Sequence, residues 1–305
     1  MAKSDLSSQL MRFYNEHVVV TNDTKDRLRP SRRWVVERVQ QRLQLEGEPI
    51  NQGSFYNGTA AGRPTDFDVL LPVSRNGAPF TARTVEPYGR VYFHVLNVQR
   101  MIVSSDDMLN SFYRDICSLF YDQSAAGHIT KRRPAVSIYL SSKNVTVDLV
   151  PCVRVGDALY IAKGSDEAGR TKCVWKRCRP QEEKNELQRL AGEKNNFKAI
   201  IRLLKFVCKQ NGLAISSHAI QSVVVRSCRN DTDWNRRSVV TNYSSMIHAL
   251  KAALRSRRLP DWVFPSENML EDITDQERIR AISVLEEVHN LLQKGDVGAA
   301  CSIIQ

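Results

Sequence analysis

Residues 66–73 read DFDVLLPV. Val69, Leu70, Leu71 and Val73 demand a buried strand, yet two carboxylates open it. Alternate residues of a strand face one side, so Asp66 and Asp68 project together and Phe67 turns away. A second apolar segment, NVTVDLVPCVRV at 144–155, places Asp148 between Val147 and Leu149. An ionised carboxylate in such a run is costly unless it is paired or holds a cation. Any fold for this chain must therefore give three acids on core strands a common solution.

Mg²⁺ is one such solution. It takes oxygen ligands and combines a few carboxylates with substrate phosphates. A two-metal site of this kind activates an attacking hydroxyl and stabilises a leaving pyrophosphate. Just upstream, Gly53-Ser54 reads as a turn. Glycine lets the backbone approach a phosphate closely, and the amides and serine hydroxyl can donate to it. Taken alone, a Gly-Ser pair is an ordinary turn. Followed by Asp-x-Asp on the next strand and a third Asp on a later one, it points to a nucleotide site.

Period-2 patterning predicts strands at 66–73, 90–98, 134–141 and 144–151, with a helix at 106–122 between them. Helical spacing is expected over 5–19 and over 23–45, where Pro30 should kink or restart the helix. Beyond about residue 180 the pattern is helical: 181–191, 195–210, 216–228, 241–256 and 273–293. The reading is α+β with two lobes, 1–175 holding a mixed sheet and a long N-terminal helix, 176–305 a helical lobe, with the site expected in the cleft between them.

The 305 residues carry a net charge of +11, which favours polyanionic partners. The seven cysteines are scattered and odd in number, as in a reduced, intracellular protein. Cys173 and Cys178, with no histidine beside them, do not make a zinc site. The start MAKSDLSSQL lacks an apolar h-region, and no apolar run approaches the ~20 residues of a membrane span, so a cytoplasmic protein without membrane contact is expected.

The stretch GSFYNGTAAGRPTDFDVLLPV resembles the Gly-Ser and acid-strand block of cyclic GMP–AMP synthase (cGAS) and the animal cGAS-like receptors. These are nucleotidyltransferases of the Mab family with a polymerase-β-like fold. VTVDLVPCVRV is similar to their third-acid strand. NNFKAIIRLLKFVCKQNGLAISSHAIQSVVV and LPDWVFPSENMLEDI are similar to two blocks of their helical lobe. The four blocks fall in family order within residues 23–293. The resemblance implies that Gly53 and Ser54 hold a triphosphate and that Asp66, Asp68 and Asp148 bind Mg²⁺, for which Mn²⁺ can substitute. It also implies that Lys176, Glu183, Lys205, Ser217 and His218 contact nucleotide. The family commonly has Tyr where His218 stands, and often Glu where Asp66 stands. RLAGEKNNFKA replaces the zinc insertion of the DNA sensors, so no zinc is expected and the activator shifts toward double-stranded RNA, with DNA less favoured. Lys25, Arg29, Arg32 and Arg33 on the long helix are the expected RNA contacts, with Lys131-Arg132-Arg133 and Arg255-Arg257-Arg258 as further basic groups. The implied activity is RNA-activated synthesis of a cyclic dinucleotide from ATP and GTP, with a 2′–5′ linkage, in innate antiviral signalling. Synthesis of linear oligonucleotides and an inactive nucleic-acid-binding module are the competing readings. The sequence leaves the oligomeric state open, dimerisation on the ligand included.

Overall fold

The computed structural model describes residues 3–62, 66–73, 80–85, 92–123, 126–132, 134–164 and 173–302. Contacts divide the chain into two units. A sheet unit comprises Thr21–Tyr56 and Pro64–Gln181; a helical unit comprises Met1–Val20, Asn57–Arg63 and Glu182–Gln305. This partition is finer than one cut between 175 and 176. Leu10, Tyr14 and Val18 bury in the helical core, which draws the N-terminal twenty residues to that unit.

In the sheet unit, helix α2 (Asn22–Gln40) leads to β1 (Ile50–Gln52), a one-turn helix α3 (Gly53–Tyr56), and the acid strand β2 (Asp66–Pro72). β3 (Thr81–Val85), β4 (Tyr92–Leu96) and helix α4 (Ser105–Phe120) follow. Then come β5 (His128–Arg132), β6 (Ala135–Leu140), β7 (Val145–Val155), β8 (Ala158–Gly164) and β9 (Val174–Cys178). The sheet runs β1-β2-β7-β8-β9-β4-β3, with β6 joined to β7 and β5 to β6. β2 and β7 are parallel; the other pairs are antiparallel.

The two faces of the sheet differ. Phe67, Val69 and Leu71 of β2 join Val145, Val147 and Leu149 of β7 in one core, against Leu28, Val35 and Val39 of α2 and Met108, Phe112 and Ile116 of α4. Strand alternation sends Asp66, Asp68 and Asp148 to the opposite face. Among the described residues that face carries a small apolar cluster of Leu70, Ala135, Val150, Cys152, Leu159 and Cys178.

The expected strands appear at 66–72, 92–96, 135–140 and 145–155; residues 90–91 lie outside the described residues. The helix does not restart at Pro30. α2 runs unbroken through it, ending at Gln40 rather than residue 45. Proline costs the Asp26 carbonyl its helical donor, and burial of Leu28, Val35, Val36 and Val39 carries the helix past it.

The helical unit contains α1 (Lys3–Phe13), a π-helical turn at Tyr14–Val18, α5 (Pro180–Glu193) from Glu182, α6 (Phe197–Gln210), α7 (Ser217–Cys228), α8 (Val239–Ser256), α9 (Asp275–Gln293) and α10 (Val297–Ser302). α6 buries Ile200, Leu203, Leu204 and Val207 at helical spacing. Ser216 and Ser238 cap α7 and α8, and Thr274 with Glu277 closes a reciprocal capping box on α9. No described helix is long and apolar enough to cross a membrane.

Candidate active site

The acid pair is set by register. Asp68 stands opposite Asp148 across the parallel β2–β7 pair, and Gln52 of β1 flanks Asp68 on its other side. Asp66 stands opposite Thr146, at the exposed end of β2. Gly53, read from sequence as part of a turn, instead starts the one-turn helix α3 with φ at +82°, and its α-carbon lies under Asp68. A β-carbon there would come 2.8 Å from Asp68 Cγ and closer still to its oxygen. Only glycine fits, on grounds of both conformation and space.

Burial pushes the Asp148 carboxyl above its ordinary range, and the nearby Asp66 charge adds to the push; Ser137 and Arg132 pull the other way. Ser137 faces Asp148 directly from β6. Ser137 offers Asp148 a side-chain hydrogen bond that lowers its pKa, but the bond is poorly formed: among the described residues neither the buried Asp148 Oδ1 nor Ser137 Oγ has a partner of good geometry. A buried carboxylate oxygen left in this state is expensive, and a cation would relieve it. The donors are all hard oxygens, as Mg²⁺ requires. As the side chains are placed, no three His, Cys, Asp or Glu among the described residues converge closely enough to hold a metal ion. Ligation by all three acids therefore calls for side-chain rotation.

Lys176 lies on the acid-bearing face. It pairs with Ile161, which pairs with Cys152, four residues along β7 from Asp148. It is thus on the right face but not beside the carboxylates. Its neighbour Trp175 turns into the helix-covered core and donates from Nε1 to Val103 O at 3.0 Å.

The remaining expected nucleotide contacts belong to the helical unit. His218 and Glu183 are brought together: His218 Nε2 is 2.7 Å from Asp261 Oδ2, and Nδ1 is 4.0 Å from Glu183 Oε2. The imidazole lies roughly parallel to Trp262, 6.3 Å between ring centroids, and Arg229 stands over the indole. Burial opposes ionisation of Asp261. The hydrogen bond and charge of His218, with the N–H groups of Val263 and Phe264, outweigh it and hold the carboxyl below its usual range. Lys205 is buried, at 8 % exposure. Ser217 is exposed at the first position of α7, while the cap is its neighbour Ser216, whose Oγ accepts from Ala219 N.

The basic helix divides its side chains. Arg29 pairs with Asp26 and Arg33 with Glu37, each at 2.7 Å and largely exposed. Lys25 donates to Asn22. Arg32 does not share their outward face. It turns to Tyr56, its guanidinium 5.9 Å from the ring centroid. Burial raises the Tyr56 hydroxyl pKa and Asp68 adds to the rise, against Arg32 and Arg29, so Tyr56 feels both the helix arginines and the acid strand. Arg133 lies outside the described residues. Ser137 and Asp261 went unsingled from the sequence. Ser137 had no signal beyond lying opposite an acid, whereas Asp261 sits in the LPDWVF block that carried the resemblance.

Residues 196–287 match the family model described as the Mab-21 protein HhH/H2TH-like domain. The chain is 20 % identical to cyclic GMP-AMP synthase-like receptor 3 of Stylophora pistillata over 315 aligned positions, covering 89 % of this chain and 91 % of that one. The solved structure of CdnC with ATP from E. coli MS115-1 superposes with a TM-score of 0.70 at 13 % identity, over 97 % of each chain. The expected α+β nucleotidyltransferase fold is borne out by that likeness. The chain is thus similar to the Mab-21 HhH/H2TH-like domain over residues 196–287, to a cGAS-like receptor in sequence and to CdnC in fold.

Proposed function

We propose that the protein is a Mg²⁺-dependent nucleotidyltransferase that joins two nucleoside triphosphates, ATP and GTP, into a cyclic dinucleotide when double-stranded RNA binds it. The observation that carries the reading is the Asp68–Asp148 register beside Gly53, with Asp148 Oδ1 buried and unsatisfied. Gly53 and Ser54 take the triphosphate, and Asp66, Asp68 and Asp148 hold the metal. When bound, Mg²⁺ supplies the charge that favours a ribose hydroxylate nucleophile and a pyrophosphate leaving group. The β2–β7 ladder holds the backbone of Asp68 and Asp148 in fixed register, so side-chain rotation is the reorganisation left before a metal is held. His218 offers a ring face to a base, with its Nε2–H committed to Asp261 and its orientation thereby set. Lys205 and Lys176 serve phosphate and base. A 2′–5′ linkage, cytoplasmic antiviral signalling and allosteric activation through α2 complete the proposed reading, in keeping with the similarity to a cGAS-like receptor.

Purified protein with all four NTPs and Mg²⁺, alone or with double-stranded RNA or DNA, should yield a cyclic dinucleotide by mass spectrometry only in the RNA tube. A linear product would replace the cyclase reading. RNA binding without any product would leave a nucleic-acid-binding module. Product from an Asp66→Asn, Asp68→Asn double variant would remove the metal assignment.

A further inference from the structure

Between the Gly53-Ser54 helix and the acid strand the chain leaves the sheet unit at Tyr56 and returns at Pro64. Residues 57–62 contain two glycines at positive φ, Gly58 at +65° and Gly62 at +64°, and would be loose on their own. They are instead held at three points. Arg202 of α6 donates from Nε and Nη2 to Gly58 O, at 3.1 and 2.8 Å. Its Nη1 donates to Tyr14 Oη, and its guanidinium stands over the Tyr14 ring. Gln221 Nε2 of α7 donates to Thr59 Oγ1 at 2.8 Å, both residues buried. Gly62 N donates to Val18 O at 2.9 Å.

These polar bonds lie beside an apolar core containing Tyr14, Val18, Leu203 and Leu204. A linker with no task could have been packed there with apolar side chains alone. One arginine spending three donors on a glycine carbonyl and a tyrosine hydroxyl fixes the path of the linker, because a buried donor left unpaired is costly. We propose that Arg202 is a positioning residue: it clamps residues 57–62 so that the Gly53-Ser54 helix on one side and Asp66 on the other keep the spacing a bound triphosphate requires. The triphosphate rests on the nucleotidyl-transfer reading; the clamp itself does not.

The test is hydrogen exchange on the full chain, wild type against Arg202→Lys, with triphosphate affinity read in parallel using a non-hydrolysable ATP analogue and Mg²⁺. Lysine keeps the charge but cannot make the forked bond. Amide exchange should rise about tenfold or more over 57–62 and spread to 53–56 and 66–68, and analogue affinity should fall about fivefold to tenfold, while α8 and α9 exchange as before. Faster exchange confined to 57–62, or unchanged exchange, overturns the clamp. A wild type that binds no analogue, with exchange still spreading in the variant, overturns the nucleotide reading and leaves the clamp standing. Should Arg202→Lys unfold, a paired Thr59→Val, Gln221→Leu variant removes a second tether without leaving a buried polar group unpaired. It should show the same spread to 53–56, and its absence there counts against the proposal.

Discussion

Two buried aspartates make opposite use of the protein around them. Asp261, in the helical unit, is 2 % exposed and has every reason to be there. His218 gives it a charge-assisted bond, and two backbone N–H groups complete its shell, so its carboxyl titrates below the usual range. Asp148, in the sheet unit, is less buried, yet burial and Asp66 raise its pKa against a poorly formed Ser137 bond, and Oδ1 has no partner of good geometry among the described residues. The same residue type is thus finished by the fold in one unit and left unfinished in the other. A carboxylate completed by protein groups does structural or orienting work. One held on a rigid strand against its own preference is available to a ligand.

Rates separate the two most sharply. Asp68→Asn or Asp148→Asn should lower turnover by roughly 10²–10³-fold or more, the scale for losing a group that stabilises transition-state charge. Asp261→Asn acts only through the orientation of His218 and should raise KM for the nucleotide by roughly tenfold with a smaller change in kcat. Steady-state kinetics with RNA present would decide. If Asp148→Asn keeps its rate while Asp261→Asn loses it, the two roles are reversed.

Stability should move the other way round. Asp261 has a folded pKa below its unfolded value, so its contribution is present above the unfolded pKa and is lost as pH falls through the folded one. Asp261→Asn at pH 7 should cost about 3 kcal/mol, since it breaks the charge pair with His218 and sets an amide NH₂ against Nε2–H, while the remaining Oδ1 keeps the Val263 and Phe264 N–H groups. Asp148 has a folded pKa above its unfolded value. Its ionised form therefore weakens the fold at neutral pH, and protonation on acidification relieves that penalty. Asp148→Asn should be neutral or up to about 1 kcal/mol stabilising at pH 7 without metal. Denaturant melts of both variants at pH 7 and at about pH 3, below the unfolded carboxylate pKa, would show the crossing; a destabilised Asp148→Asn at pH 7 would mean that its shell is already complete.

Much of this was readable beforehand. Period-2 alternation placed Asp66 and Asp68 on one face, and the structure puts that face opposite the helix-covered core. Of the strands that escaped notice, β1, β3, β5 and β9 are only three to five residues long, several with charged residues such as Lys131 and Arg177, and β8 is a continuous apolar run without alternation. The Asp261–His218 pair joins residues 43 positions apart, and Arg202 reaches Gly58 across 144. Local pattern carries no information on such contacts, which arise when helices pack. The division of α2 was also hidden. Arg29, Arg32 and Arg33 sit within an arc of roughly 100° at 3.6 residues per turn, and only the position of the Tyr56 ring shows that Arg32 turns inward.

Metal should sharpen the contrast at a smaller scale. A cation that binds the folded state alone at ten times its Kd stabilises by about 1.4 kcal/mol, a shift of a few degrees in melting temperature for a chain this long. Mg²⁺ or Mn²⁺ should give that shift to the wild type and to Asp261→Asn, but not to Asp148→Asn. An equal shift in all three would place the cation elsewhere.

The exposed arginines of α2 define a third condition, satisfied but only loosely. Arg29–Asp26 and Arg33–Glu37 are short bonds between side chains that remain more than half exposed. Solvent screening leaves each with little effect on stability, so Arg29→Ala and Arg33→Ala should leave the melting temperature nearly unchanged. A phosphate can outcompete such a partner at little cost. Each substitution should therefore weaken double-stranded RNA binding and reduce the salt slope of log Kd by about one. Arg32→Ala should behave differently: it removes the group standing over Tyr56, which also feels Asp68, so nucleotide KM should rise while the salt slope stays put. Fluorescence titrations over a salt series would resolve them. A slope lost with Arg32→Ala and kept with Arg29→Ala and Arg33→Ala would move the RNA contact to the inner flank of the helix.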